Sequence, residues 1–185
     1  MANSTEFQIS ETVIPGLLEI SLDLHEDARG FFQEKFQKQK LVALGFPENF
    51  NPVQQNVSYN REIGVTRGFH AEPWDKYVNV VKGTVHAVYI DLRKENFGKQ
   101  VSITIDQNKA VFIPRGVANS FQTLEIDTYY NYLINDFWSP TNQDQYKFIN
   151  LMDPDLKVEW PISLDKAIIS DKDKKHPMLK DVLPF

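Results

Sequence analysis

Hydrophobic and polar positions along this chain alternate mostly with a period of two. In Lys76–Lys82, Lys76, Val78 and Val80 share one face, and Tyr77, Asn79 and Val81 share the other, which is the pattern of a strand. Short runs of the same kind occupy 53–59, 64–70, 84–92, 101–105, 110–113, 120–124 and Thr128–Ile134. Gly83, 96–98, 106–108 and 114–116 supply the turns between them. Upstream, 12–24 is apolar and β-branched and reads as a strand with a Pro15-Gly16 turn inside it. Asp27-Ala28-Arg29-Gly30 reads as a turn before a strand over 31–36. Only 38–44 (KQKLVAL) reads as a helix, closed by Gly45 and then Pro47. Beyond Ser139 the chain is richer in Pro, Asp and Lys. There, 148–151, 158–160 and the last residues read as a closing strand and loops packed on the body. Many short strands with little helix predict an all-β sandwich or barrel with a few short helices.

Composition narrows the setting. A chain of 185 residues without repeat or linker predicts one domain over 1–185. A net charge of −5 without a basic tract disfavours a nucleic-acid backbone, while a few local arginines still suit a phosphorylated small molecule. The absence of cysteine excludes disulfides and thiolate chemistry. The start MANSTEFQIS has no basic stretch followed by an apolar run, and no apolar run approaches spanning length. The expectation is a cytoplasmic protein, monomeric or homo-oligomeric, without a membrane partner.

The chemistry gathers in 64–83, GVTRGFHAEPWDKYVNVVKG. His70 and Lys76 flank a five-residue turn whose Pro73 cannot donate to a ladder. Such a turn suits an imidazole and an ammonium on one pocket wall, the first to abstract a proton and the second to steady an oxyanion. A surface loop with one exposed His and one solvated Lys remains equally open at this point. Arg67 and His70 are three apart, so a regular strand would point them to opposite faces. Gly68 between them predicts an irregularity that turns both into the pocket. Of the four histidines, none pairs with another at metal-ligand spacing. His86 reads as a packed side chain, and His25 and His176 as solvated ones.

The spacing in 64–83 resembles the first cupin motif. His70 matches its first ligating histidine, and Gly64 and Gly83 match its glycines. Glu72 stands at the second histidine and Lys76 at the ligating glutamate. Pro114-Arg115-Gly116-Val117-Ala118-Asn119 resembles the second motif, with Asn119 for its histidine. A cation at a ligand position repels a metal. The resemblance therefore implies a cupin-type jelly roll whose metal has given way to an ammonium group.

Seven motifs together resemble the dTDP-4-dehydrorhamnose 3,5-epimerase family over nearly the whole chain. They are Asp27-Ala28-Arg29-Gly30-Phe31-Phe32-Gln33-Glu34, Gln54-Gln55-Asn56-Val57-Ser58, Val65-Thr66-Arg67-Gly68-Phe69-His70, Asp91-Leu92-Arg93, the run 113–121, Asp153-Pro154 with Trp160-Pro161, and 169–173. The phrase HAEPWDKY, with Asn119, looks like the branch found in Gram-positive bacteria. The resemblance implies epimerisation at C3 and C5 of dTDP-4-dehydro-6-deoxy-D-glucose through enolates, with neither redox cofactor nor metal. It gives His70 as base, Asp173 as its partner carboxylate, Lys76 as enolate stabiliser and Tyr132 as the acid on the other face. Tyr132 is reached by counting back from Ser139-Pro140, with Tyr130 as the fallback. By charge alone the run 170–173 reads as a solvated turn, so Asp173 rests on the resemblance. Arg29 and Arg67 match diphosphate and sugar contacts. Glu34, Gln54, Asn56 and Asn119 match polar contacts, and Phe32 and Trp138 match aromatic faces for thymine or sugar. The family's N-terminal strands cross to a partner, so the resemblance implies a homodimer with Arg29 and Glu34 in the neighbour's site. Asn119 and Ala87 depart from the usual histidine and aspartate, which leaves open an epimerase of one centre or a ketoisomerase. Other classes are a non-catalytic sugar-binding cupin and, less favoured, a metal-dependent cupin oxygenase.

Overall fold

Strands account for most of the regular structure of the computed structural model, which describes residues 7–139 and 145–185. They are β1 (Gln8–Glu11), β2 (Leu18–Ser21), β3 (His25–Asp27), β4 (Gly30–Phe32), β5 (Gln54–Asn60), β6 (Val65–Ala71), β7 (Lys76–Lys82), β8 (Val85–Asp91), β9 (Gln100–Ile105), β10 (Lys109–Ile113), β11 (Val117–Thr123), β12 (Thr128–Ile134), β13 (Lys147–Phe148) and β14 (Ile168–Ile169). Helix α1 spans Lys38–Ala43, with the Gln37 side chain accepting from the Lys40 amide at its start.

One sheet runs β1-β2-β10-β7-β12-β5, and a second runs β13-β6-β11-β8-β9 with β14 beside β6. The two face each other across a core of alternate residues. Val78, Val80, Val111, Ile113 and Tyr130 come from the first sheet, and Ala87, Tyr89, Ile103, Ile105, Val117 and Phe121 from the second. Their intervening neighbours face outward and are also buried. Tyr77, Ala110 and Phe112 pack under Leu41, Phe46 and Phe50 around α1. Val88, Ile90 and Ala118 pack under Ile149, Leu151, Leu156 and Val182 of the C-terminal segment. Burial on both faces explains why β8 reads as a nearly continuous apolar run. It is the jelly-roll barrel expected from the sequence.

Three expected elements are shorter or different. The stretch 12–24 is not one interrupted strand: β1 precedes it, 12–17 is the connection and only β2 lies within it. The strand expected over 31–36 ends at Phe32, because Lys35 turns inward and its ammonium donates to Val80 O and Gln107 O. The stretch 158–160 forms no strand. Val158 and Trp160 instead pack on the outer apolar layer, and β13 and β14 close the sheet. No helix is long and apolar enough to cross a membrane among the described residues.

Candidate active site

The strand period places the site. On β7, Lys76 shares the inward face with Val78 and Val80 but lies at the end of the strand, where the core opens. Across the ladder Tyr132 of β12 pairs with Val78 and Tyr130 with Val80, so both phenols face the same interior. From the other sheet, His70 of β6 pairs with Asn119 of β11. The result is a cavity of about 220 Å³ lined by Arg67, His70, Glu72, Lys76, Asn119 and Tyr132 among others. A second lobe of similar volume, about 220 Å³, shares His70, Glu72 and Tyr132 and continues past Asn56, Trp74, Trp138, Tyr146, Phe148 and Lys172.

Arg67 and His70 both reach this cavity because β6 carries an extra residue. His70 pairs with Asn119 and Arg67 with Phe121, so three steps on β6 oppose two on β11. That is a bulge, and it re-aims side chains by one position. Gly68 makes it: its φ is +115°, and a Cβ there would lie 2.6 Å from Asn119 O and 2.8 Å from Ser120 Cα. Ser120 Oγ donates to Arg67 O at 2.6 Å and ties the bulge down, and Arg67 Nε donates to Asn60 Oδ1 at 2.9 Å. The Gly68–Phe69 peptide is cis. The irregularity expected at Gly68 is present.

His70 is half-buried, and its Nε2 lies 3.0 Å from Asp173 Oδ1. Asp173 comes from a single 3₁₀ turn, Asp173–Lys175, far along the chain. It is buried, not solvated as the charge pattern of 170–173 suggested. Burial pushes its carboxyl up, but hydrogen bonds from His70, Ser170 and His176 and the charge of His70 outweigh that and hold it below the usual range. An ionised carboxylate only accepts, so Nε2 of His70 carries the hydrogen and the lone pair is left on Nδ1. The pair thereby fixes the tautomer of a base.

Lys76 is nearly fully buried, and its ammonium donates to Glu72 Oε1 at 2.5 Å. Asn119 Nδ2 donates to His70 O at 2.7 Å and approaches Glu72 Oε2 at 3.5 Å. Tyr132 lies with its ring 5.4 Å below the Lys76 ammonium. Burial, and then the charge of Glu72, push the Tyr132 hydroxyl up, so it remains a proton donor. The arrangement offers an oriented base, a cation for a developing oxyanion and a protonated phenol. Those are the parts that proton transfer next to a carbonyl requires. At the position where a cupin has its ligating glutamate, the Lys76 ammonium offers only donors and a positive charge, a poor partner for a cation.

The family profile for dTDP-4-dehydrorhamnose 3,5-epimerase matches residues 11–181. The chain belongs to the dTDP-4-dehydrorhamnose 3,5-epimerase family. A relative from Streptococcus pyogenes serotype M6, named Protein RmlC homolog, is 47% identical over 177 residues, 93% of this chain and 89% of its own. The dTDP-4-dehydrorhamnose 3,5-epimerase of Methanothermobacter thermautotrophicus is 32% identical over 184 residues, 95% of this chain and 96% of its own. The solved structure of RmlC from Streptococcus suis in complex with dTDP-D-xylose superposes with a TM-score of 0.93 at 44% identity, covering 98% of this chain and 95% of that one.

Within this epimerase-family chain, the structure gathers His70, Lys76, Tyr132, Asp173, Arg67 and Asn119 around one cavity lobe, and Asn56 and Trp138 around the other. Tyr130, the fallback, also lines the first lobe, where it is buried and stacked on Phe121 at 4.2 Å. Pro140, part of the landmark used to reach Tyr132, lies outside the described residues. Gln54 is one step removed from the cavity, accepting from the Trp138 amide at 3.0 Å and donating to Asn56 Oδ1 at 2.8 Å. Arg29, Phe32 and Glu34 are not in this cavity. Arg29 pairs with Asp27 on the β3–β4 hairpin with 90% of its side chain exposed, and Phe32 beside it is 71% exposed. Glu34 follows the hairpin and pairs with Lys40 at 2.7 Å.

The sequence reading placed His176 in solvent, and the structure corrects this. Its Nε2 lies 3.1 Å from the same Asp173 Oδ1, and its ring stacks on Phe148 at 4.5 Å. The two histidines that show no pairing in sequence thus meet at one carboxylate. His70, Asp173 and His176 are also a donor set that could bind a metal, with ligand atoms within 4.8 Å of one another. Here those atoms are engaged with each other. The available signal was the three-residue spacing of Asp173 and His176, which one helical turn brings together. Lys172, Phe148, Trp74 and Tyr146 were likewise missed as walls of the second lobe.

Proposed function

We infer that this chain epimerises C3 and C5 of dTDP-4-dehydro-6-deoxy-D-glucose to give dTDP-4-dehydro-L-rhamnose, within dTDP-rhamnose biosynthesis. The observation that carries the reading is the oriented His70–Asp173 pair in one cavity with a buried ammonium and a protonated tyrosine. His70 Nδ1 takes the proton from the carbon next to the C4 ketone. The C–H electron pair moves into an enolate whose oxygen, the former C4 ketone oxygen, is stabilised by the Lys76 ammonium as it turns from Glu72. Tyr132 delivers a proton to the opposite face, and solvent restores both side chains. The same cycle at the other carbon gives the double inversion. Turnover in deuterium oxide should place deuterium at both C3 and C5, read by proton NMR. Label at one carbon selects a single-centre epimerase, and label at neither overturns the reading.

The β3–β4 hairpin supports a homodimer in which each arm enters the partner's cavity. Its strands pair with each other and with no other strand among the described residues, and it carries Arg29, Phe31 and Phe32 largely exposed. A guanidinium and two rings suit a nucleoside diphosphate. Sedimentation should give a dimer, and Arg29→Ala should raise KM while leaving kcat nearly unchanged. A monomer with full activity would contradict the exchange of arms.

A further inference from the structure

We infer that His176 is a positioning residue of the epimerase site, sharing Asp173 Oδ1 with His70 so that the carboxylate orienting the base is held from two sides. The inference rests on the epimerase reading above. Its geometry is a closed cluster. The Nε2 atoms of His70 and His176 lie 3.0 Å and 3.1 Å from the one oxygen. Both must donate to it, since a carboxylate offers no hydrogen. Burial holds the His176 imidazole toward its neutral form, against the pull of the Asp173 hydrogen bond, so its single ring N–H is committed to Asp173. Phe148 fixes the ring planes, stacked on His176 at 4.5 Å and edge-on to His70 at 5.3 Å.

The turn beneath is anchored separately. Asn150 Nδ2 donates to Lys174 O and to His176 O, each at 3.0 Å, and the Asp173 amide donates to Ser170 Oγ at 3.1 Å. The backbone therefore keeps its place without the imidazole. What His176 adds is the second bond to Oδ1. The charged and titratable groups that face it are Asp173 and Lys172 from its own segment and His70 from β6. Glu72, Lys76 and Tyr132 share the cavity wall with His70 from the other side. His176 is not among the residues lining either lobe and reaches the site through Asp173.

This role separates kcat from KM. His176→Phe keeps a ring against Phe148 and removes the donor. It should lower kcat about 10- to 100-fold, the usual cost of losing a partner behind a functional group, with KM unchanged. The full carboxylate charge would then bear on His70 and stabilise its imidazolium. The acid limb of the kcat/KM profile should move to higher pH. His176→Gln restores an N–H at the same reach and should return both kcat and the limb most of the way to wild type. A His176→Phe enzyme with wild-type kcat overturns the inference. So does one whose kcat falls with the limb unmoved and with Gln equally impaired, because that marks a merely structural side chain. Failure of the wild-type enzyme to exchange solvent deuterium would instead remove the epimerase reading itself.

Discussion

His70→Ala is expected to lower deuterium wash-in at C3 and C5 together, by about 10³-fold, the scale of losing a positioned general base. Loss at both carbons is the informative part. Of the two imidazoles bonded to Asp173, only His70 lines the cavity, and no other histidine does so among the described residues. On the proposed mechanism this one base serves both centres. Binding of dTDP should persist, since the candidate nucleotide contacts, Arg67 in the first lobe, Asn56 and Trp138 in the second and Arg29 and Phe32 on the arm, are untouched by the change. Exchange surviving at one carbon in His70→Ala would show a second base and break the account of a single dyad.

Lys76→Met carries the second large effect, and it appears in two measurements. Removing the ammonium takes away the enolate's counter-charge, which should lower kcat by about 10²–10³-fold. It also strands Glu72, which pairs with Lys76 at 2.5 Å with only 13% of its side chain exposed. Breaking a buried pair from one side costs roughly 3–5 kcal/mol, so the variant should unfold at clearly lower denaturant. Adding Glu72→Gln removes the stranded charge. The double variant should regain most of the stability and none of the turnover. Recovery of turnover in the double variant would mean that Lys76 acts only to neutralise Glu72.

The period of two in Lys76–Lys82 put the ammonium on one face with Val78 and Val80, and the burial of that face in the structure makes it the inner one. It also separated Val78 and Val80, which pack between the sheets, from Tyr77, which is buried on the other side under α1. Arg67, Gly68 and His70 announced their own bulge, since only a glycine between them reconciles two pocket residues three apart. The family resemblance supplied Asp173 and Tyr132, which local pattern did not. Asp173 meets His70 across 103 residues of sequence, and nothing in a charged turn foretells that contact. His176 escaped notice for the same reason: its burial depends on Phe148 and Asn150 from another segment. The strand expected over 31–36 was overlong because apolar alternation cannot see that Lys35 leaves the ladder for two backbone carbonyls.

The central claim is that a lysine ammonium receives the enolate oxygen beside an oriented histidine. A structure with a dTDP-4-keto sugar or close analogue bound measures it directly. The account predicts the C4 oxygen within hydrogen-bond reach of Lys76 Nζ, with His70 Nδ1 against C3 or C5 and the Tyr132 hydroxyl on the opposite ring face. A sugar seated with its C4 oxygen turned away from Lys76, and the ammonium still bound only to Glu72, would contradict it.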